Sequence, residues 1–168
     1  METEDYKKSV NFWILSSSCM RRRTIKRGCD YFLSENNLVG HITTRHNLRF
    51  AERNFFADTR LPLHTAIIDL VLCREDKQIE MNLTPGTATL HSFSPLYLAR
   101  RLKQTLPECH LLFLGTDQVD FFKFLLSQEI HPDFWLLPHK NLTDGAVLCI
   151  LNMFSTAAWR ESVNPTIQ

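Results

Sequence analysis

A single aspartate, Asp69, interrupts one of the most apolar stretches of this sequence, between Ile68 and Leu70. A carboxylate in such a place could bind a metal, move a proton or accept a phosphoryl group. Three other short polar clusters also follow apolar runs, at residues 16–18, 115–116 and 138–140. Any chemistry that involves the aspartate therefore depends on whether the fold brings these four places together.

Short apolar runs alternate with segments of helical periodicity along the chain. The predicted strands are 11–15, 38–42, 65–72, 110–114 and 134–137, and the predicted helices are 19–33, 50–56, 94–107, 119–130 and 141–154, the last capped by Asn141 or Thr143. Strands that are apolar throughout are typical of a parallel sheet covered by helices on both faces. We therefore predict an α/β, three-layer αβα sandwich, in which a ligand site lies at the carboxyl ends of the strands. Residues 73–93 are polar and predict a long loop.

The order of these elements, and the sequence Ile67-Ile68-Asp69-Leu70, resemble the receiver domain of response regulators, in particular LuxR-type transcription regulators. The segment 94–107 is similar to the third helix of those domains, and 159–163 to the start of the linker to their DNA-binding domain. The resemblance covers about residues 10–160. It implies a five-stranded parallel sheet of flavodoxin-like topology, with 1–155 as a receiver-like domain and 156–168 as a polar tail or the start of a linker.

Receivers of that family accept a phosphoryl group on an aspartate that corresponds to Asp69. An acidic pair after their first strand holds magnesium, and the matching positions here are Ser16 and Ser17. Magnesium prefers carboxylates and water as ligands, and two hydroxyls bring no charge. The departure from the family pattern predicts a pseudo-receiver whose phosphoacceptor-equivalent aspartate is inactive, with no metal, no cofactor and no catalytic residue.

The other two positions of the family's phosphorylation site are also altered. The switch serine or threonine after the fourth strand corresponds to Gly115 or Thr116. The lysine after the fifth strand corresponds to Pro138, and Lys140 is displaced by two residues. In this degenerate pocket we expect the aspartate to be hydrogen-bonded to loop amides or paired with Lys140 or His139.

A cluster of positive charges occupies the first predicted helix. It could bind nucleic acid or an acidic partner, or it could be a solvated helix face with Ile25 and Cys29 turned inward, and the second interpretation is favoured. The formal net charge of +1 gives no general attraction to nucleic acid. The members of this basic patch are Arg21, Arg22, Arg23, Lys26 and Arg27.

The helix predicted over 119–130 is more apolar than one buried stripe requires. Phe121, Phe124 and Leu125 lie beyond that stripe and predict an interface. In the resembled family, the fourth helix, fifth strand and fifth helix form one dimer face, and the first and fifth helices form another. The alternative is that residues 73–93 cover this helix within one chain.

Several classes of protein are disfavoured by what the sequence lacks. The five cysteines are widely spaced, with no C-x-x-C pair, and predict free, mostly buried thiols in a cytoplasmic protein. No apolar run approaches the roughly 18 residues of a membrane span. Glycine-rich phosphate loops, nucleophile elbows and H-E-x-x-H motifs are also absent from the sequence.

These observations and the resemblance together favour a non-enzymatic regulatory domain of a bacterial transcription regulator. It would contact a second copy of itself or another LuxR-type regulator, and would reach DNA only through a missing or a partner's DNA-binding domain. Two alternatives remain open. One is a small α/β hydrolase or phosphotransfer enzyme that uses Asp69, Thr116 and His139, and the other is an unrelated interaction or effector module.

Overall fold

The computed structural model describes residues 9–57, 63–70, 95–115 and 130–155. The strands are β1 (Ser9–Leu15), β2 (Val39–Arg45), β3 (Leu63–Asp69), β4 (His110–Leu114) and β5 (Phe134–Leu136). The helices are α1 (Cys19–Glu35), α2 (Leu48–Phe55), α3 (Pro95–Thr105), α4 (Pro138–Asn141) and α5 (Asp144–Phe154).

The five described strands form one sheet in the order β2-β1-β3-β4-β5. All four neighbouring pairs are parallel, so the predicted parallel sheet is confirmed. The register sets Leu15 opposite Ile68, and Asp69 opposite Leu114. The residues that follow β1, β3 and β4 therefore meet at one edge of the sheet, as predicted.

Both faces of β1, β3 and β4 are buried, which is why these strands are largely apolar at successive positions. Phe12 and Ile14 of β1 pack on one face with α1 and α5. Trp13 and Leu15 of the same strand pack on the other face with α2 and α3. The predicted three-layer αβα architecture is confirmed by these two apolar clusters.

Element boundaries differ from the predictions mainly near loops and caps. The prediction that β2 ends at residue 42 is wrong, because pairing with β1 continues to Arg45. β3 begins at Leu63 rather than 65, because its pairing with β1 continues past an irregularity to Asn11 and Leu63.

The last helix begins later than predicted. Residues 138–141 form the separate short helix α4, so of the two predicted caps of the last helix Thr143 is confirmed and Asn141 is wrong. Thr143 is the cap of α5, and its Oγ1 accepts a hydrogen bond from the Ala146 N–H at 3.0 Å. The predictions for the loop 73–93, for helix residues 119–129 and for the tail 156–168 fall outside the described residues.

Four of the five cysteines are described, and all four are free thiols. Cys29 and Cys109 are buried, and burial raises the pKa of the Cys109 thiol to about 12. Cys19 and Cys149 are exposed, so the prediction of mostly buried thiols holds for only half of these four. Among the described helices, none combines the length and apolar character needed to cross a bilayer.

Candidate functional site

The carboxylate of Asp69 is fully buried at the carboxyl end of β3, where both of its oxygens accept hydrogen bonds. Oδ2 accepts from the Ser16 hydroxyl at 2.6 Å. Nη1 of Arg21 donates to Oδ2 at 2.9 Å and to Oδ1 at 3.2 Å. Ser16, Arg21 and Asp69 are called the Asp69 site below.

Ser16 is held in place by the loop between β1 and α1. Its backbone N–H donates to the Arg45 carbonyl at 3.1 Å, which continues the pairing of β1 with β2. Its hydroxyl oxygen accepts from the Ser18 N–H at 3.2 Å while the hydroxyl donates to Asp69. Arg22 donates to the Ser16 carbonyl. Ser16 is thus a fully buried, hydrogen-bonded part of the site.

Arg21 supplies the positive charge of the site from the first turn of α1. Its side chain is 23% exposed, whereas that of Asp69 is 0% exposed. A positive charge at a helix N-terminus is unfavourable towards the helix dipole, and a buried carboxylate without a partner is costly. The ion pair offsets both costs, and removing one partner of such a buried pair typically costs about 3–5 kcal/mol.

The residues of this site do not fit the magnesium ion that the receiver fold implies. Magnesium requires near-octahedral oxygen ligands that include carboxylates. Here a single carboxylate is present, its neighbour Ser16 is neutral, and a guanidinium lies against both carboxylate oxygens. No group of three or more His, Cys, Asp or Glu side chains placed to hold a metal occurs within the described parts of the chain.

The end of β4 is closed by an aromatic ring. A Cβ added at Gly115 would overlap Cζ2 and Cε2 of Trp135 and lie 2.6 Å from its Nε1. The indole packs edge-on against Phe113, with ring centroids 6.0 Å apart. Position 115 therefore carries no hydroxyl and has no room for one, and Thr116 lies outside the described residues.

The residues predicted to pair with Asp69, His139 and Lys140, lie in α4, which begins shortly after β5. Pro138 is the first residue of α4, and the side chain of Lys140 is exposed. The side chains of Pro138 and His139 lie outside what the structure describes. The described partners of the carboxylate are Ser16 and Arg21, neither of which the sequence predicted for this role. Ser17 is half-buried in the loop before α1.

The basic patch is largely occupied by contacts within the chain. Besides Arg21 and Arg22, Lys26 pairs with Asp30 at 2.9 Å and Arg27 Nε lies 3.7 Å from an Asp144 oxygen. Arg23 is exposed. Buried Ile25 and Cys29 lie on the inner side of the same helix, as the favoured interpretation requires. These contacts favour a solvated helix face over an open anion-binding patch.

The interface candidates Phe121, Phe124 and Leu125 lie outside the described residues. Ile130, at the end of the same predicted helix, is buried in the core.

Sequence reasoning missed the role of Arg21, which it placed in the basic patch. A signal was present, because arginines at 21 and 22 fall in the first turn of the predicted helix, where the dipole favours acidic residues. Such a charge pattern indicates that an anion lies nearby. Asp69 is an acidic residue at the same edge of the sheet, and the pattern could have suggested it as that anion.

Comparison with solved structures identifies the fold. Neither a family model nor a curated protein matches the sequence. A response regulator receiver domain from Clostridium thermocellum superposes with a TM-score of 0.53 and 14% identity, over 86% of this chain and 93% of that one. A CheY-like receiver domain from Methanospirillum hungatei superposes with a TM-score of 0.54 and 11% identity, over 89% and 97%. An adenylate cyclase from Rhodopirellula baltica gives a TM-score of 0.52 and 12% identity, over 94% and 98%. At these identities the likeness shows a receiver-like, flavodoxin-type α/β fold, and a fold alone does not determine function.

Proposed function

We propose that this chain is a receiver-like regulatory domain that acts by protein–protein contact and is not phosphorylated on Asp69. The observation that carries the proposal is the state of the Asp69 carboxylate, which is fully buried with both oxygens bound by Ser16 and Arg21. Transfer of a phosphoryl group to a carboxylate requires an accessible oxygen and a cation that neutralises the phosphate. The carboxylate oxygens are not accessible here, and the cation present, Arg21, is already bound to them.

The proposed output is contact with another regulator. A receiver-like fold without its phosphorylation chemistry retains helix and sheet surfaces that can bind a partner. The partner we propose is a second copy of this chain or a LuxR-type transcription regulator, with DNA reached only through a DNA-binding domain elsewhere. The resemblance to LuxR-type receivers, in the order of elements and at Ile67-Ile68-Asp69-Leu70, supports this choice of partner class.

Acetyl phosphate labelling tests the chemical half of the proposal. The chain is incubated with acetyl phosphate and Mg²⁺, and the product is analysed by intact mass. We expect no added phosphoryl group, with an active receiver as positive control and Asp69→Asn as the matched variant. Stoichiometric labelling that disappears in Asp69→Asn would refute the proposal.

Light scattering, with and without candidate LuxR-type regulators, tests the contact half. We expect a dimer or a mixed complex. A strict monomer that binds no regulator would contradict this half. Phe121→Glu combined with Leu125→Glu is expected to weaken the complex, whereas Val39→Glu, at a residue 46% exposed on the edge strand β2, serves as a matched control.

A further inference from the structure

We infer that Arg21 is the resident cation of the Asp69 site, and that its guanidinium excludes divalent metal ions from the carboxylate. The inference deepens the proposed function and rests on it, because it concerns how the same site is kept out of metal-dependent phosphorylation. It goes beyond the proposed function because it assigns the exclusion of divalent metal ions to the side chain of Arg21.

Hydrogen bonds hold both the guanidinium and the backbone of Arg21. Nη1 of Arg21 bonds both oxygens of Asp69, while the backbone N–H of Arg21 donates to the Ser18 hydroxyl at 3.3 Å. The Ser18 N–H in turn donates to the Ser16 hydroxyl oxygen, and that hydroxyl donates to Asp69. These contacts close a ring of hydrogen bonds through the helix cap. Arg21 is therefore held at the carboxylate by the fold of the loop as well as by its charge.

Electrostatics then makes the guanidinium and a metal ion mutually exclusive. The arginine charge cannot be removed by deprotonation at ordinary pH. A magnesium ion would lie about 2.1 Å from a carboxylate oxygen, and the guanidinium nitrogen already lies 2.9 Å from Oδ2. Both would compete for the same lone pairs, and Ser16 adds no negative charge to offset a second cation. A divalent ion can reach Asp69 only if Arg21 withdraws.

Thermal unfolding of the full chain, with and without millimolar Mg²⁺ or Mn²⁺, tests this role. The variant Arg21→Met removes the charge and keeps most of the length, and Arg23→Met is the matched control at an exposed position of the same helix. We expect the Tm of Arg21→Met to fall by roughly 5–15 °C, because a buried carboxylate loses its partner. We expect either metal ion to restore several degrees to Arg21→Met, and to leave the wild type and Arg23→Met unchanged.

An equal response of the wild type and Arg21→Met to the ions, whether both shift or neither does, would overturn the inference. The double variant Arg21→Met/Asp69→Asn keeps the test decisive if Arg21→Met fails to fold. With the carboxylate gone, it should fold even where Arg21→Met does not, or otherwise unfold at a higher temperature than Arg21→Met, and it should show no response to metal. Failure of the double variant to fold would overturn the inference. Strictly additive losses from the two substitutions would also overturn the inference. These outcomes are separate from the labelling of the wild type, which tests only the proposed function.

Discussion

Acidification should destabilise this protein through His64, which lies near the start of β3 and is 1% exposed. The Ser155 hydroxyl donates to the Leu151 carbonyl at 3.0 Å, so its oxygen is available to accept from Nε2–H of His64 at 3.2 Å. Nδ1 then accepts from the Thr65 hydroxyl at 2.6 Å. Both contacts suit a neutral imidazole, and burial, assisted by the neighbouring His110, lowers the pKa of His64 to about 3.

The sign follows from where the proton binds. In the unfolded chain His64 takes up a proton near pH 6.5, whereas in the folded protein it does so only near pH 3. Between these two pH values the unfolded state therefore binds more protons than the folded state. Stability therefore falls as the pH falls through this window, by at most about 1.4 kcal/mol per pH unit. From pH 7 to pH 5 the loss amounts to about 2 kcal/mol, and above pH 7 the contribution vanishes.

Asp133 affects the pH dependence of stability only at a lower pH than His64 does. Desolvation raises the pKa of Asp133, but hydrogen bonds from His110 and Leu111 and the charge of Lys103 outweigh it and lower the pKa to about 2. Its stabilising contribution is present above pH 3.8 and is lost as the pH falls towards 2. Measurements between pH 5 and pH 7 therefore exclude the contribution of Asp133.

Urea unfolding at pH 7 and pH 5 measures this effect. His64→Gln replaces the imidazole with an amide, which can form hydrogen bonds but does not titrate. In this variant the difference in unfolding free energy between pH 7 and pH 5 should be about 2 kcal/mol smaller than in the wild type. His41→Gln, at an exposed position, is the matched control and should retain the wild-type difference. Equal pH dependence in His64→Gln and the wild type would refute the reasoning. An NMR titration in which the folded His64 imidazole gains a proton between pH 7 and pH 5 would also refute it.

Two further substitutions test local packing and capping. Gly115→Ala should displace the Trp135 indole, lower the Tm and expose the ring to acrylamide quenching, whereas Gly145→Ala, where an added Cβ meets nothing within 4 Å, should not destabilise the fold. Unchanged quenching in Gly115→Ala would contradict the close packing at the end of β4. Thr143→Ala should cost about 1 kcal/mol in urea unfolding because α5 loses its N-cap, and Thr143→Ser should recover most of it. A loss of the same size in both Thr143 variants would show that the cap bond is not responsible.

Much of the architecture could be predicted from the sequence because its apolar pattern is strong. β1, β3 and β4 are largely apolar at successive positions, which is typical of a sheet covered on both faces. Their separation by helices favoured parallel strands, and parallel strands place their carboxyl ends at one edge. The meeting of Ser16, Asp69 and Gly115 at that edge followed from this pattern alone.

The sequence also determined that magnesium chemistry is disfavoured, because serine hydroxyls carry no charge wherever the fold places them. It could not determine what neutralises Asp69. Arg21 and Asp69 are 48 residues apart, and they meet only because β1 and β3 are neighbours in the sheet and α1 begins directly after β1. The packing of Trp135 against Gly115 likewise depends on the pairing of β4 with β5. Local patterns report burial and periodicity, whereas the partner of a buried charge is decided by strand order, and strand order exists only in the tertiary structure.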